Sequence, residues 1–309
     1  MNQILEIYFL RHGETEHNRM KIPQGSEIDT SLNENGIKQS IITAKYLKKF
    51  NHVPDIIFSS PMKRSLETAQ IIHKELGLKN DIIIENNLTE MKSGILRLKK
   101  DEIEIKRIEK NNNSDYLNYL NYQKLEEEFD SIIDPIEKVK FLESERVIKN
   151  WELNGICTFQ EAKKTCDQII TIIKNCNKNR ILIVSHSMIL FVLISHIFNI
   201  HIEGLAKKYY KNIKNCFISK IIYNREGENF TMITPPNTEH FLSYNYLGNT
   251  LLETKEILAK DSTGFIYLVT NENDKFAFKQ SENIDNNFIQ KHNLQYYDKS
   301  DYGTFYKFN

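Results

Sequence analysis

Short apolar runs alternate along this chain with longer stretches in which apolar residues recur every three to four positions. The first run, Ile4 to Leu10, is brief, almost wholly apolar and closed by Arg-His-Gly, a pattern that predicts a buried strand. From Asn33 to Phe50 the residues Ile37, Ile41, Ala44 and Leu47 fall at helical spacing. Asp55 to Phe58 and Ile82 to Ile84 predict further short strands, separated by a helix over Lys63 to Leu76 that Gly77 is placed to cap. The rhythm returns with a helix over Phe159 to Asn175, a β-branched strand over Ile181 to Val184 and a buried helix over Met188 to Phe198. Strands alternating with helices in this way predict an α/β fold with a mainly parallel central sheet.

Two regions break the pattern. Residues 95–154 are long, charged and poor in β alternation, and predict a helical insert. Because this insert leaves the chain just past the third strand, it is expected to form a lid over the active site. Its basic residues (Arg97, Lys99, Lys100, Lys106, Arg107) are interleaved with acids, as on a solvated helix face. Beyond about Pro235 the pattern changes again, to hairpin-like strands at Gly264 to Thr270 and Lys275 to Lys279 around the turn chemistry of Asn271 to Asp274. The expected organisation is therefore a domain over 1–235, with 95–154 as its insert, and a small β-rich module over 236–309.

Composition changes this picture little. The 309 residues are 40% apolar and 27% charged with a formal net charge of zero, which supports a packed core and gives no global electrostatic case for nucleic acid or an anionic membrane. The longest apolar stretch, Met188 to Phe198, is too short to span a bilayer, and the N-terminus has no signal-peptide pattern. Cys157, Cys166, Cys176 and Cys216 form no CxxC pair and no zinc spacing, so free thiols in a reducing, cytoplasmic setting are expected.

The candidate chemistry lies at strand ends, where open α/β sheets bind ligands. Arg11 and His12 follow the first strand, His186 follows Ile181 to Ser185, and Arg64 opens the helix after Ser59-Ser60-Pro61. Two guanidinium groups and a protonated imidazole suit a phosphoryl group and the charge that spreads over it during transfer. A second, neutral imidazole can attack phosphorus. Glu90, just past the third strand, is placed to serve as proton donor.

These residues sit in blocks that resemble one family. LRHGETEHN (Leu10 to Asn18), Gln24-Gly25, DTSLNENG (Asp29 to Gly36), SSPMKRSLETA (Ser59 to Ala69), LTEMKSG (Leu88 to Gly94), VSHS (Val184 to Ser187) and Asn215-Cys216 follow in the order of the histidine phosphatase superfamily, phosphoglycerate mutase-like branch. The resemblance covers roughly residues 1–233. It implies a three-layer α/β/α sandwich, a phosphohistidine formed on His12, and Arg11, Arg64 and His186 as phosphoryl holders. It further implies Glu90 as proton donor, with Asn18, Gln24 and the backbone N–H of Ser187 contacting phosphate or substrate. No metal and no cofactor are implied. The expected activity is a phosphomonoesterase of the histidine acid phosphatase type, acting on a phosphorylated small molecule or phosphoprotein. The family's mutases carry an Arg beside the acid and a Tyr-Gly soon after, and LTEMKSG has neither; a mutase and a phosphate-binding scaffold stay open as alternatives. Position 187 departs from the family's more frequent Gly.

Residues 254–279 are weakly similar to the first strands of a protein kinase-like small lobe, with Gly264 as the last glycine of the phosphate loop and Lys279 as the strand-three lysine. The other loop glycines are absent and no HRD or DFG follows. Two readings stay open for 236–309: a truncated kinase-like lobe, leaving room for a further C-terminal domain or protein partner, or a small packing or interaction module.

Overall fold

A computed structural model describes residues 3–94, 120–121, 123–125, 127–128, 131, 144–153, 155–200, 214–238, 240, 244–247, 250–261, 264–270, 275–280, 289–290, 294–300 and 303–308. The chain divides into two compact units, Met1–Ser40 with Val53–Asn237, and Ile41–His52 with Thr238–Asn309.

In the first unit, six strands form one sheet: β1 (Ile4–Arg11), β2 (Ile56–Ser59), β3 (Ile83–Ile84), β4 (Arg180–Ser185), β5 (Ile218–Asn224) and β6 (Asn229–Asn237). The order is β3-β2-β4-β1-β5-β6. The first four neighbours run parallel, and β5 and β6 close the sheet antiparallel. The fold is thus α/β with a mainly parallel central sheet, as the alternation predicts. Leu5, Ile7 and Phe9 point to one face of β1 by the two-residue period. They pack with Ile181 and Ile183, with Ala162, Cys166, Ile169 and Ile173 of helix α5 (Phe159–Asn175), and with Ile189 to Ile194 of helix α6 (Ser187–Phe198). Helix α3 (Lys63–Leu76) packs on β2 and β4. Tyr8, Leu10, Leu182 and Val184, on the opposite face from that cluster, are also buried. Burial on both faces is what a central parallel strand requires, and it explains why these segments read as continuous apolar runs.

The chain between these strands carries helices α1 (Glu16–Arg19) and α2 (Glu34–Lys49), and α4 (Glu145–Leu153) precedes α5. The expected helix and third strand are present as α2 and β3, with two features that the pattern does not specify. Ile37, at helical spacing in α2, is exposed, and β3 is only two residues long with both isoleucines exposed. An edge strand of that length has one neighbour and little cover, so apolar character alone overstates its burial. Most of the insert expected over 95–154 lies outside the described residues; its last part is α4, whose Val147 is buried. All four cysteines are free. Among the described residues, no helix is long and apolar enough to cross a membrane.

The second unit holds an antiparallel six-stranded sheet of β7 (Tyr244–Leu247), β8 (Thr250–Asp261), β9 (Gly264–Thr270), β10 (Lys275–Gln280), β11 (Leu294–Ser300) and β12 (Gly303–Phe308), in the order β11-β12-β10-β9-β8-β7. Phe278 and Phe305 stand opposite each other on β10 and β12 with ring centroids 4.7 Å apart. Within the same unit the buried His240 ring lies with Nε2 3.2 Å from the Thr43 hydroxyl, and burial lowers its pKa to about 3.

Candidate active site

Parallel pairing sets the geometry. Arg11 on β1 stands opposite Ser185 on β4, so the next residues on the two strands, His12 and His186, leave the sheet side by side. Their ring centroids are 5.1 Å apart and both rings are buried.

His12 is held from every direction by backbone groups. Its N–H donates to the Ser185 carbonyl at 2.9 Å, and its own carbonyl accepts from the Cys216 N–H at 3.1 Å. The Asn215 amide donates to the carbonyls of His12 and Gly13 and to Asn18 Oδ1, at 3.2, 3.2 and 2.9 Å. Gly13 N–H donates to the Thr68 hydroxyl at 2.9 Å. The loop then lies against the start of α2, where a Cβ on Gly13 would come within 2.5 Å of the Gly36 carbonyl oxygen. Only glycine permits that approach. His12 Nδ1 lies 2.7 Å from the Gly13 carbonyl oxygen, an acceptor only, so Nδ1 carries the proton and Nε2 keeps its lone pair. Burial, with Arg11 and Arg64 nearby, holds the His12 pKa well below its ordinary value, so the ring is neutral.

His186 caps α6, and its Nε2 lies 2.9 Å from the Ser60 hydroxyl and 3.2 Å from that of Ser65. Its Nδ1 is buried with no hydrogen-bond partner among the described residues. Burial, then His12, Arg64 and Arg11, lower its pKa well below the ordinary range. A protonated imidazole is expected at this site; burial first, then His12 and the two guanidinium groups, disfavour that charged form here.

Arg64, in the first turn of α3, is almost fully buried. Its Nη1 and Nη2 donate to the Ile28 and Gly25 carbonyls, each at 2.8 Å, while Nε is buried without a hydrogen-bond partner among the described residues. Burial lowers its pKa to about 10, against the pull of Glu90 and Asp29. Glu90 meets the start of α6: Oε1 accepts from Met91 N–H at 2.9 Å and Ile189 N–H at 3.1 Å, and Oε2 from Met188 N–H at 3.2 Å. Burial raises its pKa, partly offset by those three N–H groups and by Arg64. Arg11, His12, Arg64, Glu90 and His186 thus lie close enough to act on one another's charge.

The remaining candidates are used within the loops. Gln24 is buried, donating from Nε2 to the Thr15 hydroxyl at 2.8 Å and accepting from the Thr30 hydroxyl at 2.6 Å. Asn18 forms the reciprocal cap of α1 with Thr15, its Oδ1 also taken by Asn215. Ser187 opens α6, where the N–H groups of the next two residues already donate to Glu90. Sequence reasoning gave no role to Ser60, Ser65, Thr68 or Glu27. The first three fall within the SSPMKRSLETA block: Ser65 and Thr68 lie on α3, and Ser60 stands just past the end of β2.

Residues 7–134 match the model of the histidine phosphatase superfamily (branch 1). A broad-specificity phosphatase of Saccharomyces cerevisiae is 37% identical over 79 residues, 26% of this chain and 34% of that protein. A phosphoglycerate mutase of Schizosaccharomyces pombe is 37% identical over 98 residues, 31% of this chain and 46% of that one. The matches thus span a third to a half of the length of these curated relatives. In fold, the chain is similar to the crystal structure of phosphoserine phosphatase from Entamoeba histolytica in complex with 3-phosphoglyceric acid, at 22% identity and a TM-score of 0.51, covering 77% of this chain and 100% of that one. Residues 7–134 are thus similar to the histidine phosphatase superfamily (branch 1), and the proteins this chain resembles include both a phosphatase and a phosphoglycerate mutase.

Proposed function

We propose that the chain is a phosphomonoesterase that needs no metal or cofactor and works through a phosphohistidine on His12, with Glu90 as proton donor. The observation that carries this reading is a pair of buried nitrogens without protein partners, Arg64 Nε and His186 Nδ1, in the charge cluster around His12. Buried polar atoms are almost always hydrogen-bonded, so two orphans in one cluster call for a ligand that accepts hydrogen bonds. In the tautomer whose Nε2 accepts from the Ser60 hydroxyl, His186 Nδ1–H is a donor, and phosphoryl oxygens would satisfy both nitrogens.

The chemistry follows. His12 Nε2 attacks phosphorus, the P–O bond to the leaving group breaks, and the leaving oxygen takes the Glu90 proton. Arg11 and Arg64 offset the charge on the phosphoryl oxygens. Water then attacks phosphorus, Glu90 takes its proton, and the P–N bond breaks to release phosphate. The substrate is a phosphorylated small molecule or a phosphoprotein, met in the cytoplasm. Brief incubation with radiolabelled phosphomonoester, alkaline denaturing quench and peptide mapping at high pH tests this: a base-stable, acid-labile label on His12 is expected, and turnover without label would overturn it.

For 236–309, taken as a separate module, we infer a kinase-like small lobe. The supporting observation is that β8, β9 and β10 are consecutive antiparallel neighbours, with Gly264 opening β9 and Lys279 buried on β10. A lysine so placed suits phosphate pairing. Titration with a nucleoside triphosphate should show binding that Lys279→Ala weakens; unchanged binding, or none, favours a packing module.

A further inference from the structure

The acid and the phosphate-facing arginine reach the site from two different loops, and one carboxylate joins those loops. Arg64 holds the 22–30 loop by the carbonyls of Gly25 and Ile28. Between those two residues stands Glu27, whose Oε1 accepts from the Gly94 N–H at 2.5 Å and whose Oε2 accepts from the Ser93 N–H and hydroxyl at 3.2 and 3.4 Å. The loops meet so closely that a Cβ on Gly25 would lie 2.2 Å from the Ser93 hydroxyl oxygen. Ser93 and Gly94 end the segment that carries Glu90. On its other side that segment is held by the Ser185 hydroxyl, which donates to the Leu88 carbonyl at 2.6 Å. The acid therefore stands between a buried anchor at Leu88 and a second set of ties at residues 92–94, where the Lys92 carbonyl accepts from Cys157 N–H at 3.0 Å, Ser93 bridges to Ile156, and Glu27 supplies the link to the loop gripped by Arg64.

We propose that Glu27 is a positioning residue for Glu90: by latching Ser93 and Gly94 onto the loop gripped by Arg64, it fixes the carboxyl that protonates the leaving oxygen relative to the phosphoryl group. The inference rests on the phosphatase reading above. Glu27 is exposed, so replacing it opens no cavity and leaves the nucleophile loop untouched. Its loss acts on the proton transfers of Glu90, and in the first step, formation of the phosphohistidine, proton donation matters only when the leaving group is a poor one.

The test compares phenyl phosphate, whose leaving oxygen needs a proton, with dinitrophenyl phosphate, whose phenolate departs unaided. Wild-type enzyme is first shown to label His12. Glu27→Ala should then lower kcat on phenyl phosphate by about tenfold, while the pre-steady-state burst of dinitrophenolate changes by less than about twofold. Glu27→Gln, which keeps one acceptor oxygen, should recover part of the loss. Equal losses on both substrates, or no loss on phenyl phosphate, would overturn the role of Glu27. Wild-type turnover without a labelled His12 would instead remove the phosphatase reading beneath it.

Discussion

The proposed nucleophile and the proposed acid are built differently. His12 ends a central strand whose two faces are both buried, and its backbone is fixed by Ser185 on β4, by Cys216 before β5 and by Asn215. Glu90 follows an exposed two-residue edge strand, and the hydrogen bonds of its carboxylate run to its own neighbour Met91 and to the start of α6. One geometry is thus a by-product of core folding, and the other depends on a few loop contacts that a single substitution can loosen. Changes on the nucleophile side should be severe and insensitive to the leaving group. Those on the acid side should be graded and dependent on both leaving group and pH.

The largest effect tests the first half of that contrast. His12→Ala should reduce turnover of p-nitrophenyl phosphate by at least about a thousandfold and abolish the acid-labile label, whatever the leaving group. Residual turnover close to wild type would move the nucleophile elsewhere. Glu90→Gln comes next, at roughly a hundredfold or more on a poor leaving group. Its signature is in the pH profile. Burial raises the Glu90 pKa above 4.5, so the donor stays protonated past the usual carboxylate range, and activity falls as pH rises through that raised value. The His12 pKa is lowered below 6.5, so the nucleophile stays neutral as pH falls and is lost only below that lowered value. The wild-type profile should therefore peak on the acid side, and Glu90→Gln should erase the alkaline limb alone. An alkaline limb that survives would assign the proton to another group.

How much of this is legible in the sequence follows the same divide. The strand ends that bring Arg11 and His12 beside Ser185 and His186 can be read from short apolar runs, because a strand buried on both faces leaves a continuous signature and parallel pairing does the rest. The buried helix over Met188 to Phe198 is legible for the same reason. What escapes is whatever depends on two loops meeting. Gln24 reads as a substrate contact, yet both ends of its amide are taken up by Thr15 and Thr30, and no periodicity encodes that. Glu90 reads as an acid by its block, but its seat on α6, nearly a hundred residues away in the chain, has no local signal. Likewise Ile83 and Ile84 form the short strand that their run predicts, but their exposure is not legible, because a run of apolar residues does not say whether its strand has neighbours on both sides.

A smaller effect on the nucleophile side separates positioning from chemistry. Asn215→Ala removes one amide that bridges two carbonyls and Asn18, in a site too buried for bulk water to replace it. The expected cost is about 1–3 kcal/mol of stability from the unsatisfied carbonyls. A roughly tenfold lower kcat should accompany it, as His12 loses its fixed placement. Urea unfolding and turnover measured on the same variant check both parts. Because the nucleophile is shared by all substrates, phenyl and dinitrophenyl phosphate should suffer alike, the reverse of what is expected at Glu27. A leaving-group-dependent loss would mean that Asn215 acts through the acid.

The smallest effect lies away from the cluster, toward the start of β1. Glu6 accepts from Arg180 Nε of β4 at 2.9 Å, pairs with Lys220 Nζ of β5 at 3.2 Å and accepts from the Tyr8 hydroxyl at 3.1 Å. It therefore ties the three central strands together near their partly exposed ends. Burial pushes its pKa up, but the hydrogen bonds and charges of Arg180 and Lys220 outweigh this and lower it from 4.5 to about 2. A carboxylate with a depressed folded-state pKa stabilises the protein above the unfolded value, and that stability is lost as pH falls. The window here runs from about 4.5 down to about 2. Glu6→Gln should cost about 1 kcal/mol at neutral pH, the scale of a half-exposed ion pair, and the gap to wild type should shrink through that window. Turnover should not change. If the nucleophile is positioned by core packing and the backbone groups around His12, trimming a clamp on the same strand must leave kcat alone; a fall in kcat would show that the geometry at residue 12 is held from much further along β1 than its own hydrogen bonds.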